Sequence, residues 1–157
     1  LECPILPEHT QEALREFTPA AGSSVRNPVD TIALFQPPLL QKTLQIIGEA
    51  ENIDVVMFHT SFSWGNMRRT LAAAQDIDPA AYMDSMVQQM TAAREASGTP
   101  IVIVLRSPLN VEGMEATAAF QERCVHAGFP VFSSIPKAAN AIARTYRWRL
   151  AREDPLS

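Results

Sequence analysis

The densest run of groups able to take part in chemistry is His59-Thr60-Ser61, with Ser63 two residues further on. These side chains can donate to a phosphate or a carboxylate, and an imidazole that titrates near neutrality can move a proton. A nucleophilic mechanism asks for more: a serine in a strained strand-to-helix elbow and a carboxylate that orients the histidine. Neither stands near His59, so a loop histidine satisfied by its surroundings is expected ahead of a catalytic one. His9 and His126 read as surface helix positions, and the carboxylates are unclustered, so no metal site is expected.

Arg106 closes a second apolar run and could reach an anion through its planar fork, or pair with a nearby carboxylate. The glycines at 22, 48, 65, 98, 113 and 128 are dispersed, so neither the P-loop nor the dinucleotide-binding glycine pattern is present. In Asn27-Pro28-Val29-Asp30 the proline favours an extended Asn27, and an amide and a carboxylate flank a rigid bend. Ser134 precedes Pro136 where a last helix opens. The crevice candidates are thus Asn27, Asp30, His59, Thr60, Arg106 and Ser134, with no catalytic residue and no metal ligand assigned.

The elements that must position these residues follow a βα rhythm from residue 53 onward. Short β-branched runs at 53–58, 100–105 and 130–133 read as strands covered on both faces. Between the first two, Asp78-Pro79 and Gly98 bracket a helix over 79–97, with Tyr82, Met83, Met86 and Met90 in one core-facing stripe. A helix over 112–127 carries Ala116, Ala119, Phe120 and Cys124 on one side, and Gly128 stops it. Ser134 and Pro136 open a final helix to about 150, with Ala139, Ile142 and Tyr146 inward, before Asp154-Pro155.

The first fifty residues are less regular. A strand is expected near Cys3–Leu6, a short helix over 8–17, a turn-rich loop over 18–27, and a helix from Pro37 or Pro38 to about Glu49. Alternation of this kind implies right-handed crossovers, a parallel sheet and helices on both faces. The ligand crevice of such a sheet lies at the carboxyl ends of its strands. The expected loops there are 27–30, 59–66, 106–110 and 133–136.

Composition narrows the function classes. A chain of 157 residues with 46% hydrophobic and 19% charged residues can bury a core as one domain. Its net charge of −4 supplies no general field for nucleic acid. The cluster of Arg144, Arg147, Arg149 and Arg152 complements the end of the last helix. Cys3 and Cys124 have no CxxC spacing and are expected reduced, which favours the cytoplasm. No run is apolar enough for a membrane span, and no leader pattern is visible. The chain opens on Leu1 rather than methionine, which suggests a piece of a longer protein.

Several stretches resemble the C-terminal region of NDP-forming acyl-CoA synthetases, the ADP-forming acetate–CoA ligase relatives of succinyl-CoA synthetase. They are Leu6-Pro7-Glu8-His9-Thr10-Gln11-Glu12-Ala13-Leu14, Ser24-Val25-Arg26-Asn27-Pro28-Val29-Asp30, Gly98-Thr99-Pro100-Ile101-Val102, and Ala127-Gly128-Phe129-Pro130-Val131-Phe132 with Pro136-Lys137-Ala138-Ala139. The resemblance implies a flavodoxin-like three-layer α/β/α domain over 1–157 that lacks its first strand and helix. It also implies partners in a CoA-binding domain, a phosphohistidine domain and an ATP-grasp module. CoA, ATP or ADP and magnesium would serve the parent enzyme, with no cofactor held by this domain alone.

Asn27 and Asp30 match the family motif residue by residue, with an expected role in shaping a loop near the crevice. His59 does not match the family's phosphorylated histidine. The leading expectation is therefore a ligase-type domain that contributes crevice and interface and is inactive alone. The alternatives are a non-catalytic binding or assembly module and a small hydrolase using His59. Loss of a central first strand would leave an unpaired edge inside the sheet. A rearranged order, a strand from a partner, or a segment exchanged in a homodimer would have to compensate.

Overall fold

The computed structural model describes residues 1–61, 78–106, 108 and 110–153. Ser63, Gly65 and Asp154-Pro155 lie outside the described residues. The elements in chain order are α1 (Glu8–Arg15), a 3-10 turn (Ile32–Phe35), α2 (Pro37–Gly48), β1 (Val56–Thr60), α3 (Pro79–Ser97), β2 (Ile101–Leu105), α4 (Val111–His126), β3 (Val131–Phe132) and α5 (Ile135–Glu153).

Local chemistry sets the helix ends. The Asp78 carboxylate accepts from the Ala80 amide at 3.1 Å ahead of Pro79, and Gly98 turns left-handed at φ 70° to stop α3. Asn110 caps α4 by accepting from the Gly113 amide at 2.9 Å. At the far end of α4, Arg94 donates to the carbonyls of Ala127 at 3.2 Å and Gly128 at 3.4 Å and stacks over Phe129. The close of α4 is thereby tied to α3.

The strands form one parallel sheet in the order β1-β2-β3. Val56 pairs with Ile101 and Thr60 with Leu105, and Ile103 and Val104 pair with Val131 and Phe132. The expected gap inside the sheet is not found, because β1 lies directly against β2. Among the described residues the open edges are the outer sides of β1 and β3. Because strand order follows chain order, the crossover helices α3 and α4 lie on the same face of the sheet.

That face carries the main core. Leu40 and Leu44 of α2, Met83, Met86 and Met90 of α3, and Phe120 and Cys124 of α4 pack on Val56, Phe58, Ile101, Ile103 and Leu105. Each large side chain so buried stabilises the fold by about 1.5–3 kcal/mol relative to exposure. The methionine stripe is core. The opposite face is thin: Val102, Val104 and Ala138 are buried, with Val55, Met57, Phe132 and Ile142 partly covered, and α5 is the helix that covers them. The fold is thus an open three-layer α/β/α sandwich of the flavodoxin-like kind with unequal layers.

Four expectations change. Cys3–Leu6 forms no strand; Leu6 instead donates its amide to the Arg26 carbonyl at 2.8 Å. The first strand begins at Val56, because Ile53 is held in a turn by its bond to the Ala50 carbonyl at 3.0 Å. The third strand contracts to Val131 and Phe132. Tyr146 was expected inward, yet it is 58% exposed. It shares a face with Ala138 and Ile142, but a helix of this length runs roughly 28 Å. The short strands end well before its last turns.

Candidate functional site

Parallel pairing aligns the carboxyl ends of the strands, about 4.8 Å apart from one to the next. Thr60 ends β1, Arg106 follows β2, and Ser133 and Ser134 follow β3. The Arg106 amide donates to the Thr60 carbonyl at 3.0 Å, which continues the ladder by one residue and fixes the two side by side. Helices α4 and α5 start from this same edge, so their N-terminal amides and the positive ends of their dipoles point into it.

His59 and Thr60 lie within β1 rather than after it. Consecutive strand residues point to opposite faces. Thr60 therefore shares the α2–α4 side with Phe58, while His59 shares the α5 side with Met57. The pair does not converge on one ligand, and His59 is exposed. Arg106 is exposed, and among the described residues it has no ion pair. Its guanidinium is thus available at the edge.

Ser134 caps α5: its hydroxyl accepts from the Lys137 amide at 3.5 Å and its carbonyl from the Ala138 amide at 3.1 Å. Lys137 then reaches back, its ammonium donating to the Ser133 hydroxyl at 3.0 Å. Lys137 is a second cation on this edge and was not among the sequence candidates. Its signal was its position three residues after a helix-opening serine, on a turn at the end of a strand. Gly113 is a further unflagged residue. A β-carbon there would stand 2.5 Å from Pro108 Cγ and 2.6 Å from Asn110 Oδ1, so only glycine lets the loop before α4 fold back onto its first turn.

Asn27 and Asp30 stand apart from this edge. The Asn27 side-chain amide donates to the Pro4 carbonyl at 2.8 Å, and Asn52, just before β1, donates to the Ile5 carbonyl at 2.9 Å. Val25 and Val29 pack in a satellite cluster with Leu6, Leu14, Ala50 and Ile53. The bend is therefore anchored at the amino end of β1. Asn27 is not extended as its proline neighbour suggested; it adopts φ 112°, a conformation asparagine tolerates better than most residues. Ser24 and Asp30 exchange backbone hydrogen bonds at 2.8 and 2.9 Å, and the Ser24 hydroxyl donates to the Pro28 carbonyl at 3.0 Å. The motif closes a loop by its backbone, and the exposed Asp30 side chain is not needed for that closure.

Among the described residues, two buried titratable groups lie away from the edge. Burial pushes the Cys124 thiol and the Tyr82 phenol each up to about 12, so both are neutral at ordinary pH. The Tyr82 hydroxyl donates to the Phe35 carbonyl at 2.8 Å. Among the described residues there is no group of three or more His, Cys, Asp or Glu placed to hold a metal ion, and no helix long and apolar enough to cross a membrane. Chemically, the described residues of the carboxyl edge offer two cations, hydroxyls and helix N-termini. The edge can hold an anion, and among the described residues it presents no aligned nucleophile and base.

No protein-family model and no curated protein matches the sequence. Among solved structures the chain is similar to the crystal structure of PH0766 from Pyrococcus horikoshii OT3, with a TM-score of 0.59 and 19% identity. The similarity covers 85% of this chain and 27% of that one, so this chain spans about a quarter of the length of the protein it matches. At that identity the likeness is one of fold.

Proposed function

We propose that this chain is the ligase-type domain of an NDP-forming acyl-CoA synthetase, an enzyme that interconverts acid, CoA and nucleoside triphosphate with acyl-CoA, nucleoside diphosphate and phosphate. The observation that carries the reading is the ordered set of family-like stretches running from Leu6 to Ala139 on a flavodoxin-like sandwich. The placement of one stretch adds support: Lys137 stands on the edge where α5 begins. In this role the domain supplies a cationic wall of Arg106 and Lys137 to a crevice whose CoA-binding, phosphohistidine and ATP-grasp parts come from elsewhere. It performs no chemistry by itself.

The test is turnover of acid, CoA and ATP, followed as acyl-CoA formation. The chain alone is expected to be inactive, and a parent protein containing it is expected to be active and to lose most of its rate on Arg106→Ala with Lys137→Ala. Turnover by the isolated chain, or a parent with no upstream CoA-binding domain, would sink the reading. A second reading is a non-catalytic assembly module on the same scaffold. The separation of Asn27 and Asp30 from the carboxyl edge favours it, since the most family-specific bend is structural here. It predicts an inactive parent.

A further inference from the structure

Helix α4 is apolar on two sides. Its inner face buries Ala116, Thr117, Phe120 and Cys124. Its outer face exposes Val111 at 71%, Met114 at 57% and Val125 at 55%, with Ala118 exposed between them. Their spacing alternates three and four residues through Gln121, the seam spacing by which one helix packs on another. A shallow, open groove of about 400 Å³ lies over the later half of the seam, lined by Ala118, Gln121, Glu122, Val125 and His126. Glu115 and Glu122, two turns apart, form an acidic border on one side of the seam.

The overhanging end of α5 has the opposite character. Tyr146 and Leu150 continue the face that packs on the sheet, and they are 58% and 46% exposed because the sheet has ended. Arg144 and Arg147 flank them, and Arg152 stacks over the exposed Trp148 at 4.8 Å. A basic, aromatic helix end thus faces solvent in the same chain that exposes an acidic, apolar helix groove. They cannot meet within one molecule. The outer side of α4 points away from one face of the sheet, and α5 lies on the other.

We infer that the two surfaces meet between two copies of this chain, the Tyr146–Leu150 end of one α5 seated on the Val111–Val125 seam of the other's α4. The contact is made in both directions, so that Arg144 and Arg147 of each copy face Glu115 and Glu122 of the other. The choice of a second copy rests on that charge complementarity. Pairing α4 with α4 would oppose glutamates, and a nucleic-acid partner for the arginines would leave the acidic seam uncovered.

Sedimentation velocity on the intact chain tests this. The weight-average mass should rise with concentration from 17.3 kDa toward twice that value, and should fall back as salt screens the contact. Glu115→Arg with Glu122→Arg, or Arg144→Glu with Arg147→Glu, should each weaken self-association by about tenfold or more. All four positions are exposed, so circular dichroism should be unchanged. Mixing the two charge-reversed chains should restore association, because each reversed surface then meets its reversed complement and each native surface its native one. A chain that stays monomeric at every concentration, an association indifferent to both reversals, or a mixture that fails to recover would overturn the inference.

Discussion

Replacing Asn27 separates a structural bend from a chemical one. Asn27 holds φ 112° and its side chain donates to the Pro4 carbonyl at 2.8 Å in a half-buried setting. Removing such a hydrogen bond costs about 0.5–1.5 kcal/mol. Forcing alanine into the positive-φ region adds about 1–2 kcal/mol. Asn27→Ala should therefore lose about 1.5–3.5 kcal/mol in total. Asn27→Gly escapes the steric part and loses about 1–2 kcal/mol, the hydrogen bond plus extra unfolded-state freedom. Asp30→Ala should change stability by less than about 0.5 kcal/mol, because backbone groups make its bridge to Ser24. Urea unfolding midpoints at constant slope read all three. If alanine proves no worse than glycine, residue 27 is not held at positive φ. If Asp30→Ala matches Asn27→Ala, the closure does not run through the backbone.

Other consequences concern packing and ionisation. A β-carbon on Gly48 would stand 2.7 Å from Ser97 Oγ and 2.9 Å from Ser97 Cβ. Gly48→Ala should destabilise by about 1–3 kcal/mol, and Ser97→Gly in the same chain should return part of that loss in urea titrations. Gly113→Ala should cost about 1–2 kcal/mol by displacing the Asn110 cap, and amide NMR shifts should report the change at Arg106 and Asn110. Burial raises Tyr82 and Cys124 from 10.0 and 9.0 to about 12, so the folded state keeps protons that the unfolded chain releases. Stability from these groups is full below pH 9, declines as the unfolded thiol and phenol ionise, and is lost as pH rises through about 12. Urea midpoints should fall across that window, and less steeply in Tyr82→Phe.

Much of the fold was legible because its signals were local. Asp78-Pro79 and Gly98 fix α3 to the residue, and the three-and-four-residue spacing of Met83, Met86 and Met90 identifies its buried face. The strand runs were visible as β-branched stretches, but their limits depended on partners. Val56 starts β1 because Pro100 accepts its amide at 2.9 Å, a contact between residues far apart in sequence. The same gap affected the site. Arg106, Thr60 and Ser134 could be assigned to the carboxyl edge from the βα rhythm. The location of Asn27 depends on its bond to Pro4 and on Asn52 reaching Ile5, neither of which has a local pattern. Periodicity placed Tyr146 on the right side of its helix but could not say that the sheet stops short of it.

The order of strands in the sheet has a consequence for how the chain assembles. Since β1, β2 and β3 lie side by side in the order in which they are synthesised, each of these strands pairs with the next of them to emerge. None of these three strands waits for another of them to be inserted between it and its neighbour. Loop closures stay short on the scale of parallel sheets, which keeps the entropy lost before each pairing small. The sheet can grow outward from β1 during synthesis, and α5 closes the second face only when β3 is in place.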